Sequence, residues 1–223
     1  MSRYIVRPMR FEDIDAVGGV ERECFSTPWP ASAYRRELRD NRLGRYIVLV
    51  EAREEGVAAV PPPPERPADD PSGTVRRAVG QLLRPFGRVT TPLLPSNERL
   101  VGFAGMWLMM EEAHVTTIGV KRDLRGQGLG ELLFATLLEI AMQVGARRST
   151  LEVRITNQPA QALYKKYGFR DEGVRRRYYS DNNEDALIMG SEWLNTQQFV
   201  SRYRAARADL DQRLGDLVEV RTS

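Results

Sequence analysis

The sequence of 223 residues holds one cysteine, Cys24, and one histidine, His114. A single thiol excludes an internal disulfide framework and fits a reducing compartment, so a cytoplasmic location is expected. One cysteine and one histidine cannot assemble a zinc site from soft ligands, and no metal is expected. A Ser-His-Asp or Cys-His mechanism would have to run through His114, and its surroundings in the sequence do not encourage that. No stretch approaches the roughly 18 uncharged apolar residues that a membrane-spanning helix requires. The opening MSRYIVRPMR lacks the apolar centre of a secretory signal, so no membrane association is expected. Charge of one sign is scarce too: 33 basic residues face 30 acidic ones, for a formal net charge of +3. That balance argues against non-specific nucleic-acid binding, and no direct DNA binding is expected.

What is present suits one domain with appendages: 42% hydrophobic residues are enough for a core, and 28% charged residues solvate the surface. Residues 4–7 read as a strand before Pro8. Phe11, Ile14, Val17 and Val20 recur at helical spacing up to Cys24. The segment Ser26-Thr27-Pro28-Trp29-Pro30 breaks that helix, residues 31–40 form a second, and 45–51 is a strand rich in β-branched residues. Residues 53–97 differ. Prolines 61 to 64 stand in a row with others at 67, 71, 85, 92 and 95, a composition that cannot bury enough apolar surface to offset ordering entropy. The expectation is a long flexible insertion, with one amphipathic turn over 79–86.

From Leu100 onward the pattern tightens. Residues 100–110 and 114–120 predict two strands joined by Glu111-Glu112. Residues 128–144 predict a helix with Leu129, Leu132, Leu133, Leu137, Ile140 and Val144 on one face, closed by Gly145. A strand at 150–155 precedes a short helix at 159–167, with Asn157 placed to cap it and Pro159 in its first turn. Residues 173–179 and 185–189 flank Asp181-Asn182-Asn183 and suggest a hairpin. A last helix is expected over 193–217, with Phe199, Tyr203, Leu210 and Leu214 on a stripe. That stripe either covers the domain or pairs with another subunit; a monomer or weak dimer is expected. The order of elements predicts a mixed α/β domain with helices on both faces of a sheet.

The chemistry concentrates between Val115 and Phe169. Arg125-Gly126-Gln127-Gly128-Leu129-Gly130 lies between a strand and a long amphipathic helix. Glycines there allow a tight turn and leave N–H groups facing outward at a helix start, which favours a bound phosphate or pyrophosphate. No lysine followed by Ser or Thr comes after the loop, and the spacing is not G-x-G-x-x-G, so neither common nucleotide fingerprint fits.

The loop follows Thr-Thr-Ile-Gly-Val, and in this setting R-G-x-G-x-G resembles the acetyl-CoA-binding motif of the GNAT acetyltransferase superfamily. Residues 151–169, LEVRITNQPAQALYKKYGF, are similar to the second half of that core, where N-x-x-A-x-x-L-Y-x-x-x-G-F recurs. L-E-V-R, A-L-Y, G-F, Arg175-Arg176-Arg177-Tyr178-Tyr179 and residues 184–189 together resemble the bacterial ribosomal-protein alanine N-acetyltransferases. The segment F-S-T-P-W at 25–29 is similar to that family's F-P-W. The likeness covers roughly residues 3–52 and 100–190.

The resemblance implies a GNAT acyl-CoA N-acyltransferase-like fold over 1–190, interrupted at 53–98 and followed by a helical extension over 191–223. It implies acetyl-CoA as co-substrate and a protein N-terminus as acceptor, most naturally alanine of a small-subunit ribosomal protein; a lysine side chain or small amine is the alternative, and a non-catalytic CoA-binding scaffold a more distant one. It further implies Glu152 as general base and Tyr164 as general acid. Main-chain groups of Ile118, Gly119 and Val120 would hold the pantetheine arm, and those of Arg125, Gly126, Gln127, Gly128, Leu129, Gly130 and Glu131 the pyrophosphate. Asn157 would contact the cofactor. Trp29, Arg177, Tyr178 and Tyr179 fall on the substrate side.

Each assignment has a structural rival. Glu152 and Arg154 share a strand face and could be a surface ion pair. Tyr164, spaced with Ala160, Leu163 and Tyr167, could be a core aromatic. His114 reads as a strand residue beside the site. Arg175 to Tyr179 reads either as an exposed strand edge or as a basic-aromatic patch for RNA.

Overall fold

The computed structural model describes residues 2–53 and 98–221; the proline-rich insertion and the turn expected over 79–86 lie outside the described residues. Thirteen labelled elements follow in order among the described residues: β1 (Ser2–Pro8), α1 (Ile14–Cys24), α2 (Ala31–Asp40), β2 (Gly44–Arg53), β3 (Glu98–Met109), β4 (Glu112–Val120), α3 (Leu129–Gln143), β5 (Arg148–Arg154), α4 (Gln158–Lys166), β6 (Phe169–Tyr179), β7 (Glu184–Ser191), α5 (Gln197–Leu214) and β8 (Val218–Val220). The strands form one sheet in the order β6-β7-β5-β4-β3-β2-β1-β8. Neighbours run antiparallel except β4 with β5 and β1 with β8.

Alternation along the strands gives each face its own core. On one face Val6, Leu49, Val101, Ala104, Val115, Leu151 and Met189 meet α3, α4 and α5. On the other, Val48, Val50, Leu100 and Phe103 meet Ile14, Val17, Val20 and Tyr34 of α1 and α2. The expected arrangement of helices on both faces is thus observed. Arg7 donates to both carboxylate oxygens of buried Asp13 at 2.7 and 2.8 Å, tying β1 to the approach of α1. Among the described residues α1 packs chiefly on β3 and β4 and α2 on β2, which leaves the β5–β7–β6 part of this face largely uncovered by helix.

Three expectations need correction. The β3–β4 turn falls at Met110-Glu111, with Met110 at φ 53°, so Glu112 already belongs to the strand. The last helix begins at Gln197 because the Thr196 side chain accepts from the Phe199 N–H and caps it. It stops at Leu214, where Gly215 takes φ 59°, and Val218–Val220 pairs with β1 as a strand that helical periodicity had absorbed. The apolar stripe of α5 faces this chain's own core: Phe199 and Leu210 are fully buried, and Tyr203 donates to the Ala135 carbonyl of α3 at 3.3 Å.

Burial of a leucine at the α3–α5 contact predicts the size of its contribution. Leu210→Ala is expected to lower stability by about 2–5 kcal/mol through lost transfer energy and a residual cavity. Urea unfolding measures it; an unchanged midpoint would show that α5 does not fold with the sheet.

Candidate active site

The site begins where β4 and β5 separate. Their parallel ladder runs from Glu112 opposite Arg148 to Val115 opposite Leu151 and goes no further. Beyond it β4 continues to Val120 against β3 alone, after a bulge at Thr116. The Lys121 N–H donates to the Val101 carbonyl of β3 at 2.9 Å. Successive N–H groups of a strand point to opposite edges, so those of Val120 and Ile118 point into the gap on the β5 side. Gly119 lies between them, and a Cβ there would come within 2.8 Å of the Phe103 ring.

The glycine loop follows. Gly126 and Gly128 have φ of 77° and 85°, and Gly128 caps α3 with no side chain to occupy the first N–H groups of the helix. Both positions favour glycine because a Cβ is strained there. Around Gly126 an added Cβ would meet nothing within 4 Å, while Gly128 is backed by Arg213, Leu210 and Leu214 of α5. The loop is thus open outward and supported from behind, a main-chain cradle of the kind that receives phosphate. Leu129 and Gly130 open the helix, and the Leu129 side chain is buried in the core. Arg125 turns inward, donating from Nε to the Val120 carbonyl at 3.1 Å, and Gln127 donates to the Asp123 carbonyl at 3.4 Å. The Glu131 carboxylate accepts from Lys166 at 2.8 Å, Arg213 at 2.7 Å and Tyr167 at 3.1 Å, joining α3, α4 and α5. These charged partners outweigh burial and hold it below the usual carboxylate range.

Glu152 lies on β5, on the face that α1 and α2 leave open, with its side chain 6% exposed. One carboxylate oxygen is 3.0 Å from His114 Nε2 and the other 3.0 Å from the Arg175 guanidinium. The hydrogen bond from His114 holds the Glu152 carboxyl below its ordinary range against the opposing effect of burial, with Arg175 adding to it. The Glu152–Arg154 ion pair is overturned: Arg154 turns to Asp181 at 2.8 Å and Glu184 at 2.9 Å, fixing the β6–β7 turn. The partners of Glu152 come from β4 and β6, which strand spacing alone could not identify.

Tyr164, on α4, is half-buried against Phe134 and Phe169, with ring centroids 4.8 and 6.2 Å away. Burial pushes its phenol well up, and the Tyr179 phenol adds to the shift. Tyr179 itself is pushed up to about 12 by burial, with Glu152 adding and Arg154, 3.9 Å over its ring, opposing. Asn157 caps α4 as expected, its Oδ1 accepting from the Ala160 N–H at 3.3 Å. Among the described residues its Nδ2 has no acceptor. Arg177 and Tyr178 lie in a bulge of edge strand β6, with Arg177 at φ 51° and its N–H donating to Asp185 at 2.7 Å. Trp29 packs on Tyr34 and Trp107 at 5.6 and 6.3 Å, across the same face. The Ser26 hydroxyl donates to Asp181, so the α1–α2 connection meets the β6–β7 turn over the open face. Among the described residues no group of three metal-ligating side chains occurs, and no helix is long and apolar enough to cross a membrane.

Comparison with known proteins matches residues 58–169 to the acetyltransferase (GNAT) family. A Bacillus subtilis protein provisionally named ribosomal protein bS18 alanine N-acetyltransferase is 35% identical over 188 residues, 84% of this chain and 95% of that one. The Escherichia coli protein carrying that name without the proviso is 38% identical over 98 residues, 43% of this chain and 66% of its own length. The crystal structure of the Escherichia coli enzyme of that name has a TM-score of 0.58 at 22% identity, covering 86% of this chain and 93% of the other, a likeness of fold.

The depressed Glu152 ionisation has a signed consequence. Its stabilisation is fully present above the ordinary glutamate range and is lost as pH falls through the lower folded value. Glu152→Gln is therefore expected to be less stable than wild type at neutral pH, the gap narrowing from roughly pH 5 downward. Urea midpoints against pH would show it; a gap constant into acid would refute the assignment.

Proposed function

We propose that this chain, which belongs to the GNAT acetyltransferase family, transfers the acetyl group of acetyl-CoA to the N-terminal α-amine of a protein. The named relatives support alanine of ribosomal protein bS18, a small-subunit protein, as the acceptor. The observation that carries the reading is the gap between β4 and β5. It puts free main-chain N–H groups, an outward-open glycine loop and a buried carboxylate at one place in the sheet.

The residues fit the co-substrate. Gly126 to Glu131 offer main-chain donors at the start of α3 for the pyrophosphate. Ile118 to Val120 offer a strand edge for the amide-bearing pantetheine arm, and Asn157 has an amide free to donate. The acceptor would enter over the β5–β7–β6 face, past Trp29 and past Arg177, Tyr178 and Tyr179. Glu152, directly or through one water, removes the proton of the ammonium form; an N-terminal amine, with a pKa of about 7.7–8.0, is partly neutral already near pH 7. The amine attacks the thioester carbonyl in a ternary complex, the Val120 N–H polarises that carbonyl, and the C–S bond breaks as the nitrogen sheds its second proton to water. Tyr164, whose phenol burial keeps protonated, gives its proton to the departing thiolate. We assign residues 1–190 to the catalytic domain, with the 53–98 insertion set into it, and 191–223 to an extension. The enzyme would act in the cytoplasm as a monomer or weak dimer.

Incubation with acetyl-CoA and peptides free or blocked at the N-terminus tests the acceptor. Acetylation of free alanine-initiated peptides is expected, and acetylation of only blocked, lysine-containing peptides would overturn it. Glu152→Gln is expected to lower kcat by about 10²–10⁴-fold, the range for loss of a general base, with KM for acetyl-CoA little changed. Tyr164→Phe is also expected to lower kcat. Wild-type turnover in both variants would remove the catalytic assignment.

A further inference from the structure

The glycine loop receives phosphate through main-chain donors, yet an acidic side chain stands at its edge. Glu131 is in the first turn of α3, where the exposed N–H groups carry partial positive charge. A carboxylate there stabilises the helix but competes with an anionic ligand for the same positive end. Its side chain is 11% exposed, and its hydrogen-bond partners keep it ionised near neutral pH against the effect of burial. The cations nearest the loop in sequence are turned elsewhere. Arg125 donates to the Val120 carbonyl at 3.1 Å, Lys121 to the Glu23 carboxylate at 3.3 Å and Arg122 Nε to the Glu23 carbonyl at 3.1 Å. An uncompensated Glu131 would therefore oppose the phosphate charges that the loop receives.

The compensation comes from the far end of the chain. Arg213 of α5 donates from Nη2 to one Glu131 oxygen at 2.7 Å, and Lys166 of α4 donates to the other at 2.8 Å. Both also reach Asp209 of α5, Lys166 at 2.7 Å and Arg213 Nε at 3.3 Å. Among the described residues these four side chains form ion pairs only with one another, two acids with two bases, so the group carries no net charge. Arg213 also stands directly behind the loop, its Nη1 3.4 Å from where a Gly128 Cβ would lie. The match to the acetyltransferase family ends at residue 169, so Asp209 and Arg213 come from outside the matched segment.

We infer that α5 is a working part of the co-substrate site: Arg213 cancels the Glu131 charge and thereby sets the affinity of the glycine loop for the pyrophosphate. This rests on the reading of residues 126–131 as the pyrophosphate cradle. Arg213 acts through Glu131 and touches none of the reacting atoms, so it is a positioning residue. If the four side chains served only to clamp α3, α4 and α5 together, loss of any one would loosen the loop and weaken binding. A charge balance responds by sign instead. Removing a base leaves net negative charge beside the phosphates, and removing an acid leaves net positive charge there.

Calorimetric titration of the full chain with coenzyme A separates the two. Arg213→Met, which keeps the aliphatic stem, should weaken binding several-fold, up to about 25-fold, the range for a unit charge at a helix terminus. Adding Glu131→Gln to it should restore most of the lost affinity, since the main-chain N–H of that residue is kept. Asp209→Asn, which removes an acid, should bind at least as tightly as wild type although it breaks ion pairs of the same group. The Arg213→Met loss should shrink as salt rises from about 0.05 to about 0.5 M, because screening weakens a charge effect and leaves packing intact. Wild-type affinity in Arg213→Met, a double variant no better than Arg213→Met, or weakened binding in Asp209→Asn overturns the inference while leaving the co-substrate reading in place. If the wild-type chain does not bind coenzyme A, the co-substrate reading itself fails, and this inference with it.

Discussion

The structure turns on a ladder that stops. β4 and β5 are bonded from Glu112/Arg148 to Val115/Leu151, and past that point each is held by its outer neighbour instead: β4 by β3 as far as Val120, β5 by β7 as far as Arg154. Strands anchored on opposite sides cannot close the gap without giving up those outer bonds. Main-chain N–H groups exposed inside a sheet are costly unless something accepts from them. An extended ligand bearing amide carbonyls fills that need better than side chains can. The same parting places Glu152 beside the gap, because it is the first residue of β5 beyond the shared ladder.

The rest of the molecule holds the two edges in place. The glycine loop is pressed from behind by Leu210, Arg213 and Leu214 of α5. Glu131, in the first turn of α3, gathers Lys166, Tyr167 and Arg213, so the helix that presents the loop is clamped to α4 and α5. On the opposite face, the Glu23 carboxylate accepts from the Arg122 N–H at 2.6 Å and from Lys121 at 3.3 Å. Lys121 and Arg122 are thus engaged with the end of α1. Cys24 lies there too, its thiol donating to the Val120 carbonyl at 3.3 Å and pushed up by burial. A lone, half-buried thiol whose ionisation is pushed up in this way is poorly suited to act as a nucleophile.

Much of this was legible in order of locality. Asn157 as the cap of α4, Gly145 after α3, and the glycine loop between strand and helix are each specified by residues within one turn of themselves, where side-chain and backbone preferences act directly. The α5 stripe was legible as a stripe, though its ends were not. Thr196 and Gly215 decide those ends by a cap and a left-handed φ, against a periodicity that runs on through Leu217. β8 escaped because three residues carry no pattern until β1 is there to pair with them.

By itself the sequence determined the fold class, the phosphate-type loop and the candidate carboxylate and phenol, since each depends on short-range pattern or on motif likeness within 115–169. Only the tertiary structure decided what surrounds the carboxylate. His114, Arg175, Thr150 and Glu112 reach Glu152 directly or in line through parallel pairing of β4 with β5 and the return of β6 along β7, contacts that join residues 23 to 38 positions apart. Strand register between distant segments is set by which faces the helices bury and where a bulge falls. No local periodicity encodes it, so the chemistry of Glu152 was readable as a residue and became readable as an environment only in the folded sheet.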